Sequence, residues 1–354
     1  MTFRLISDDA ALFAQAKWAF STRRVDRAAA AGLSRDFASA VSGDLVLGRI
    51  VSIAQHAGVQ LAEGRRSLLY PGDLVVAACG ARYAPDQFEG VAEINAQGAH
   101  MLAGGGCVGR MIHRNEKVKP PTKLIPLGLI TDAAGATINI ADYALPPSGA
   151  APSIPVIGVF GASMNSGKTT ATAALAYGLR RAGWSVAAMK GTGTGAFGDF
   201  HKYEDTGARY VGDFTDAGMV STYKTPLDRV KAGVRDLFAA AARERADVAV
   251  LEIADGVFQR ETAALLADAE FRSWFAGAIF ACGDPLAAAG GVGAMADHGL
   301  RPAALTGVLS CSPMSAAEAV EATGVRVLSK SQLEDPAEAG ALLNALASPR
   351  IAAA

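Results

Sequence analysis

Val156-Ile157-Gly158-Val159-Phe160-Gly161-Ala162-Ser163-Met164-Asn165-Ser166-Gly167-Lys168-Thr169-Thr170 runs from apolar residues through a short polar loop into an Ala-rich segment. The apolar run predicts a strand, and Gly167-Lys168-Thr169-Thr170 predicts the opening of a helix. Strand, loop and helix in that order suit a nucleoside triphosphate. Backbone N–H groups of such a loop cradle phosphate oxygens, and the helix N-terminus adds a favourable dipole. The expected contacts are Gly161, Asn165, Ser166, Gly167, Lys168, Thr169 and Thr170. Lys168 would reach the β- and γ-phosphates, and the Thr169 hydroxyl would complete a Mg²⁺ shell.

The common spacing G-x-x-x-x-G-K-[ST] requires glycine at 162, where Ala162 stands; Gly161 gives a spacing one residue longer. An ordinary βα turn with a solvated lysine is the plainer alternative.

Beyond the loop, strand candidates at 156–160, 185–189, 247–252, 277–281, 304–309 and 325–328 alternate with helical segments. That alternation predicts an α/β fold with a doubly wound, mostly parallel sheet, whose ligands bind at the carboxyl ends of the strands. Lys190 stands at the end of the second strand, before Gly191-Thr192-Gly193-Thr194-Gly195, a run whose free N–H groups suit an anion. A mobile surface loop would look the same. One of Asp199, Asp205, Asp213 or Asp216 could join the Mg²⁺ shell, although helix capping accounts for some of them. The third strand, Asp247-Val248-Ala249-Val250-Leu251-Glu252, ends in a carboxylate placed to face the phosphates and hold Mg²⁺ or its waters. The loops at Cys282-Gly283-Asp284-Pro285 and Ser310-Cys311-Ser312-Pro313 are where a base would sit. No N-K-x-D pattern supports guanine, so ATP is the expected nucleotide.

The region from about 155 to 330 resembles the dethiobiotin synthetase-like group of P-loop proteins. The residues that carry the resemblance are Gly161 to Thr169, which match Gly-x-x-x-x-x-Gly-Lys-Thr, with Lys190, and with Glu252 followed by Gly256. The resemblance implies that Lys168 and Lys190 stabilise phosphoryl transfer, while Thr169, Asp205 and Glu252 arrange Mg²⁺. The Gly-Thr-Gly-Thr-Gly loop and Glu252-Ile253-Ala254-Asp255-Gly256 depart from that group, so dethiobiotin synthesis itself is not expected. The loop is also similar to that of a P-loop family that includes D-glutamate N-acetyltransferases, which implies acyl-CoA and acyl transfer as the rival chemistry.

Upstream, 145–154 reads as a Pro/Gly/Ser linker, 43–144 as a small β-rich barrel or sandwich domain, and 1–42 as a helical segment centred on 8–40. The β-rich domain would cover the active-site cleft or bind the substrate tail. Its most unusual stretches are Arg82–Phe88 and the triple glycine 104–106, both compatible with plain turns. The P-loop domain is expected over 155–354.

The 354 residues are 51% hydrophobic and 19% charged, which suits a folded chain with a large core. A net charge of −1 and scattered arginines leave no basic footprint, so nucleic acid is not expected as a partner. Cys79, Cys107, Cys282 and Cys311 form no C-x-x-C pair, so buried free thiols are expected rather than zinc. Met1-Thr2-Phe3-Arg4 lacks a signal pattern and no apolar run reaches membrane length, so a cytoplasmic protein is expected, with no membrane partner.

Three functional classes follow: an ATP- and Mg²⁺-dependent enzyme that phosphorylates a small carboxylate or carbamate; an acyl-CoA-dependent N-acyltransferase; and a nucleotide-switched chaperone or metal-delivery protein. A homo-oligomer is expected by analogy only.

Overall fold

A computed structural model describes residues 8–351. The expectations for Met1-Thr2-Phe3-Arg4 and for the two chain ends lie outside the described residues. The chain forms two compact units. The first holds the chain up to Leu145 together with Thr194–Phe197 and Phe214–Lys224. The second holds Pro146–Gly193, Gly198–Asp213 and the chain from Thr225 onward. The division is therefore not a single cut near 150: two short segments of the C-terminal half count with the first unit.

The first unit begins with α1 (Asp8–Gln15), β1 (Lys17–Trp18) and β2 (Gly32–Ser34). The long helix expected over 8–40 is absent among the described residues. After α1 the chain pairs instead: Lys17 and Trp18 lie parallel to Val75 and Val76, and Trp18 is buried at 3% exposure. Tertiary burial of one large ring outweighs the helix propensity of the Ala-rich stretch, a local preference that is small per residue.

Then come β3 (Leu45–Ser52), β4 (Gly58–Gln60), β5 (Arg66–Leu68), β6 (Leu74–Cys79), β7 (Arg82–Tyr83), β8 (Phe88–Val91), β9 (Ala99–Ala103), β10 (Cys107–Arg114) and β11 (Thr122–Thr131). β3 lies antiparallel to β6 and β11, β11 to β9, and β9 to β10. β10 closes the circuit by pairing parallel with β6. The β-rich region is thus a barrel of five closed strands, with β8 and β7 continuing outward from β10.

Alternation along the strands explains the continuous apolar runs. Leu45, Leu47, Val76 and Ala78 enter one core, while Val46, Val75 and Ala77 enter another. Both faces are buried along β6 and over 45–48 of β3, so these stretches have no polar face, whereas Arg49, Val51 and Ser52 at the far end of β3 are exposed. The expected strand at 137–140 contributes the isolated bridges Thr131–Thr137 and Asp44–Asn139 before a 3₁₀ turn, Ile140–Tyr143, capped by Asn139.

The second unit contains β12 (Val156–Gly161), α2 (Lys168–Arg181), β13 (Val186–Lys190), α3 (Phe197–Glu204), β14 (Tyr210–Asp213), α4 (Leu227–Arg243), β15 (Val248–Glu252), α5 (Arg260–Ala267), α6 (Ala269–Ser273), β16 (Gly277–Ala281), α7 (Pro285–Ala296), β17 (Ala304–Thr306), α8 (Pro313–Thr323), α9 (Lys330–Glu334) and α10 (Pro336–Ile351). Its six strands run β14-β13-β15-β12-β16-β17, and every pairing is parallel. This is the expected α/β sheet with one extra edge strand. β14 escaped sequence reading because Tyr210-Val211-Gly212-Asp213 is short, half polar and paired on one side. Residues 307–309 leave the strand because Gly307 takes φ 91°. Around 325–328 only Val327 pairs, with Leu305.

The core joins strand residues Ile157, Val186 and Val250 to Leu175 and Leu179 of α2 and to Leu342 and Leu343 of α10. Each such side chain contributes about 1.5–3 kcal/mol on burial. Among the described residues no helix is long and apolar enough to cross a membrane.

Candidate nucleotide site

The loop between β12 and α2 begins at a glycine that nothing else can replace. A Cβ on Gly161 would lie 2.6 Å from Ser166 Oγ and 2.7 Å from Lys168 Cγ. The close approach that glycine permits therefore falls at 161, and the longer spacing is the one the chain uses. Ala162 is accommodated because its neighbour is itself a glycine: a Cβ on Gly256 would meet the Ala162 carbonyl at 2.2 Å. Asn165 and Gly167 take φ values of 63° and 105°, both in the left-handed region. The Ser166 hydroxyl is buried without a hydrogen-bond partner among the described residues, a donor suited to a phosphate oxygen.

Lys168 opens α2, is 5% exposed, and donates from Nζ to the Ser163 carbonyl at 2.7 Å. Burial pulls its ammonium below the usual range, against the opposing pull of the Glu252 and Asp255 carboxylates. The Thr169 side chain is hydrogen-bonded with Asp199. The Thr170 hydroxyl accepts from Lys202 Nζ at 2.8 Å.

Strand register brings the other charged groups to this point. Lys190 pairs in register with Glu252 of β15 on one side and with Asp213 of β14 on the other. Glu252 is also in register with Val159 of β12. Lys190 Nζ stands 3.1 Å from Glu252 Oε1 and is hydrogen-bonded to Asp199. Burial acts to lower the Lys190 pKa, but Asp199 and Glu252 outweigh it and hold the ammonium well above its usual range. Burial acts to raise Asp199, and Lys190 with Thr169 more than offsets that, leaving it below the usual carboxylate range. The other Glu252 oxygen accepts from the Tyr203 hydroxyl, and both residues are buried.

Asp205 takes no part in this cluster. It is exposed one residue beyond the end of α3, with its amide bonded to the His201 carbonyl. The carboxylate at the centre is Asp199, in the first turn of the same helix. The reason is helical phase: Asp199 and Tyr203 are four residues apart and share the face turned to Glu252, whereas position 205 lies past the helix end. Asp216 is elsewhere, 2.6 Å from Arg23 in the first unit. Sequence reading missed Tyr203 altogether; its i, i+4 spacing from Asp199 was the available signal.

Thr192 ties the Lys190 loop to the β15 loop, donating to the Ala254 carbonyl at 2.6 Å and accepting from its amide at 2.8 Å. Beside the loop between β12 and α2 lies a cleft of about 510 Å³ whose lining includes Gly167, Thr170, Gly307, Cys311, Ser329 and Lys330. It uses the expected loop at Ser310-Cys311. The other expected loop is engaged locally, with Asp284 capping α7.

Compared with protein-family models and with curated proteins, the sequence gives no match. Among solved structures, the 54 kDa protein of the signal recognition particle from Aeropyrum pernix K1, in complex with GDP, matches at 18% identity and a TM-score of 0.36, over 57% of this chain and 50% of that one. The signal recognition particle receptor FtsY from Elizabethkingia anophelis, also in complex with GDP, matches at 14% identity and a TM-score of 0.33, over 56% of this chain and 65% of that one. The match spans about half to two thirds of the length of these two proteins.

Proposed function

We propose that the protein binds ATP with Mg²⁺ and transfers the terminal phosphoryl group to a small carboxylate- or carbamate-type acceptor. The observation that carries the reading is the meeting of Lys190, Asp199 and Glu252 beside Lys168 at the end of the phosphate loop. In the reaction the γ-phosphorus gains a bond to the acceptor oxygen and loses its bond to the bridging oxygen, and ADP departs.

The donor set fits a hard cation: the Thr169 hydroxyl and the Asp199 and Glu252 carboxylates supply oxygen only, as Mg²⁺ requires. Bound Mg²⁺ would neutralise charge on the phosphate oxygens. Lys168, released from the Ser163 carbonyl, would donate to the β- and γ-phosphates. Lys190 is held in place by two carboxylates, so its charge is preorganised for a transferring phosphoryl group. The orphaned Ser166 hydroxyl and the loop amides would hold the remaining oxygens, and the cleft beside Gly167 would take the nucleoside.

Calorimetry with ATP, GTP and acetyl-CoA, each with Mg²⁺, on the native protein and on Lys168→Ala tests this. ATP binding that is lost in the variant, with ADP release stimulated by a small carboxylic acid, is expected. Acetyl-CoA binding without ATP binding overturns the reading in favour of acyl transfer.

A further inference from the structure

The turn between β7 and β8 falls in one of the unusual stretches of the sequence, Arg82–Phe88, and it walls a cleft of about 310 Å³. Every residue that lines this cleft belongs to the first unit. Tyr83, Ala84 and Pro85 contribute apolar surface, and Gln87, His113 and Arg114 contribute polar groups. The walls are tied to one another. The Gln87 amide donates to the Ala84 carbonyl at 2.9 Å, and the Asn115 amide donates to the Gln87 carbonyl at 2.9 Å. Asn115 Nδ2 donates to the Pro85 carbonyl at 3.0 Å. The Tyr83 ring rests on the Tyr223 ring, with centroids 5.6 Å apart.

A bulge decides which residue meets Glu89. Met111 pairs with Gly90, so an unbroken antiparallel ladder would set Ile112 opposite Glu89; the register shifts instead, and His113 takes that place. Bulges re-aim a side chain in this way and are frequent beside ligand sites. His113 Nδ1 stands 2.7 Å from Glu89 Oε2, and the Tyr223 hydroxyl donates to Glu89 Oε1 at 2.8 Å. These two hydrogen bonds hold the Glu89 carboxyl below its usual range, so it accepts and does not donate. The proton of a neutral His113 is therefore on Nδ1, and Nε2 is left as an acceptor with no partner among the described residues. Gln87 is oriented in a similar way. Its Oε1 accepts from the buried Arg82 at 3.0 Å, which leaves its amide nitrogen as a donor. Arg114 gives one N–H to the Val118 carbonyl at 2.6 Å, and the rest of its guanidinium has no partner among the described residues.

The cleft thus combines two donors, one of them charged, with one acceptor and an aromatic wall. We propose that it binds a small hydroxycarboxylate: Arg114 and Gln87 take the carboxylate, His113 Nε2 accepts from the neighbouring hydroxyl, and the apolar body lies against Tyr83 and Pro85. Glu89 is a positioning residue that fixes which ring nitrogen accepts. A carboxylate without the hydroxyl leaves Nε2 unpaired and is bound less well. The volume is at the lower end of the range for small-molecule pockets, about 300–1,000 Å³, which suits a ligand of one ring. The site is independent of the nucleotide chemistry of the second unit.

The test is calorimetry on the full chain with mandelate, which carries a carboxylate, a hydroxyl and a ring, and with phenylacetate, which lacks only the hydroxyl. Mandelate is expected to bind the native protein about fivefold more tightly than phenylacetate, the effect of one hydrogen bond. Arg114→Gln should weaken both ligands about tenfold, as loss of a bond to a charged group implies. His113→Phe should bring mandelate down to the level of phenylacetate and leave phenylacetate unchanged. Both side chains are exposed, so neither substitution disturbs the core. Lys168→Ala should leave mandelate binding as it is in the native protein. Absence of mandelate binding overturns the proposal, and so does an equal loss of both ligands in His113→Phe. Binding that survives Arg114→Gln, or that disappears in Lys168→Ala, puts the ligand at another site and overturns it as well.

Discussion

Lys190 and Glu252 are register partners on adjacent parallel strands, with Nζ and Oε1 3.1 Å apart. Parallel pairing places both at the carboxyl ends of their strands, the edge where α/β sheets bind ligands. Glu252 holds two partners at once, Lys190 on one oxygen and Tyr203 on the other.

Glu252→Gln keeps the shape and removes the charge. Acid-dependent ADP release is expected to fall by about 10²–10³, the range seen when one transition-state stabilising group is lost. Stability in urea should fall by about 1–3 kcal/mol as a buried bond to a charged group is weakened. Full turnover in this variant would remove Glu252 from the centre.

Asp199 and Asp205 are separated by one comparison. Asp199→Asn leaves Lys190 with half its counter-charge and takes the carboxylate from Thr169, so turnover should drop at least about 100-fold. Asp205→Asn changes an exposed side chain and should shift stability by less than about 0.5 kcal/mol, with turnover unchanged. Parallel kinetics on the two variants decide between them, and the reverse pattern would falsify the assignment.

Gly161→Ala should abolish nucleotide binding and cost about 1–3 kcal/mol of stability, because the new methyl overlaps Ser166 Oγ and Lys168 Cγ. Ala162→Gly should bind nucleotide as the native protein does, even though it restores the commoner motif. Calorimetric titration of both variants with Mg-ATP checks which glycine the loop uses.

His56 supplies a pH signature in the barrel unit. Burial first, and then the Arg82 guanidinium, push its pKa from 6.5 down to about 4. Its Nε2 lies 3.0 Å from the Leu102 carbonyl. The unfolded chain takes up this proton near pH 6.5 and the folded chain only near pH 4, so stability falls as pH drops through that window. Urea unfolding between pH 7 and pH 4 should show a loss of about 2–3 kcal/mol from this group. His56→Gln should flatten that part of the profile; an equally steep profile in the variant would mean that another group titrates.

Much of the second unit could be read from short segments. Apolar runs of about five residues located five of its six strands, and the charged residue closing two of them put Lys190 and Glu252 at strand tips. Edge strand β14 lacked that pattern because Tyr210-Val211-Gly212-Asp213 is short, half polar and only partly buried. The error over 8–40 had the opposite cause: an Ala-rich composition suggested helix where Trp18 is drawn into the barrel core.

What the sequence determined by itself is what a few neighbouring residues encode: the strand, glycine-bearing loop and helix around Lys168, the alternation of strands and helices, the charged strand ends, and the β-rich character of the first unit. What the tertiary structure decided involves partners far apart in the chain. Tyr203 meets Glu252 across 49 residues and Gln60 meets Phe197 across 137. The meeting of Asp199 with Lys190, the closure of β10 onto β6, and the close approach of Gly105 to the Gly195 carbonyl belong to the same class. Periodicity and turn chemistry act over one or two turns of chain. Helical phase against a distant strand, and the contact of two backbones, arise only once packing has set the distances.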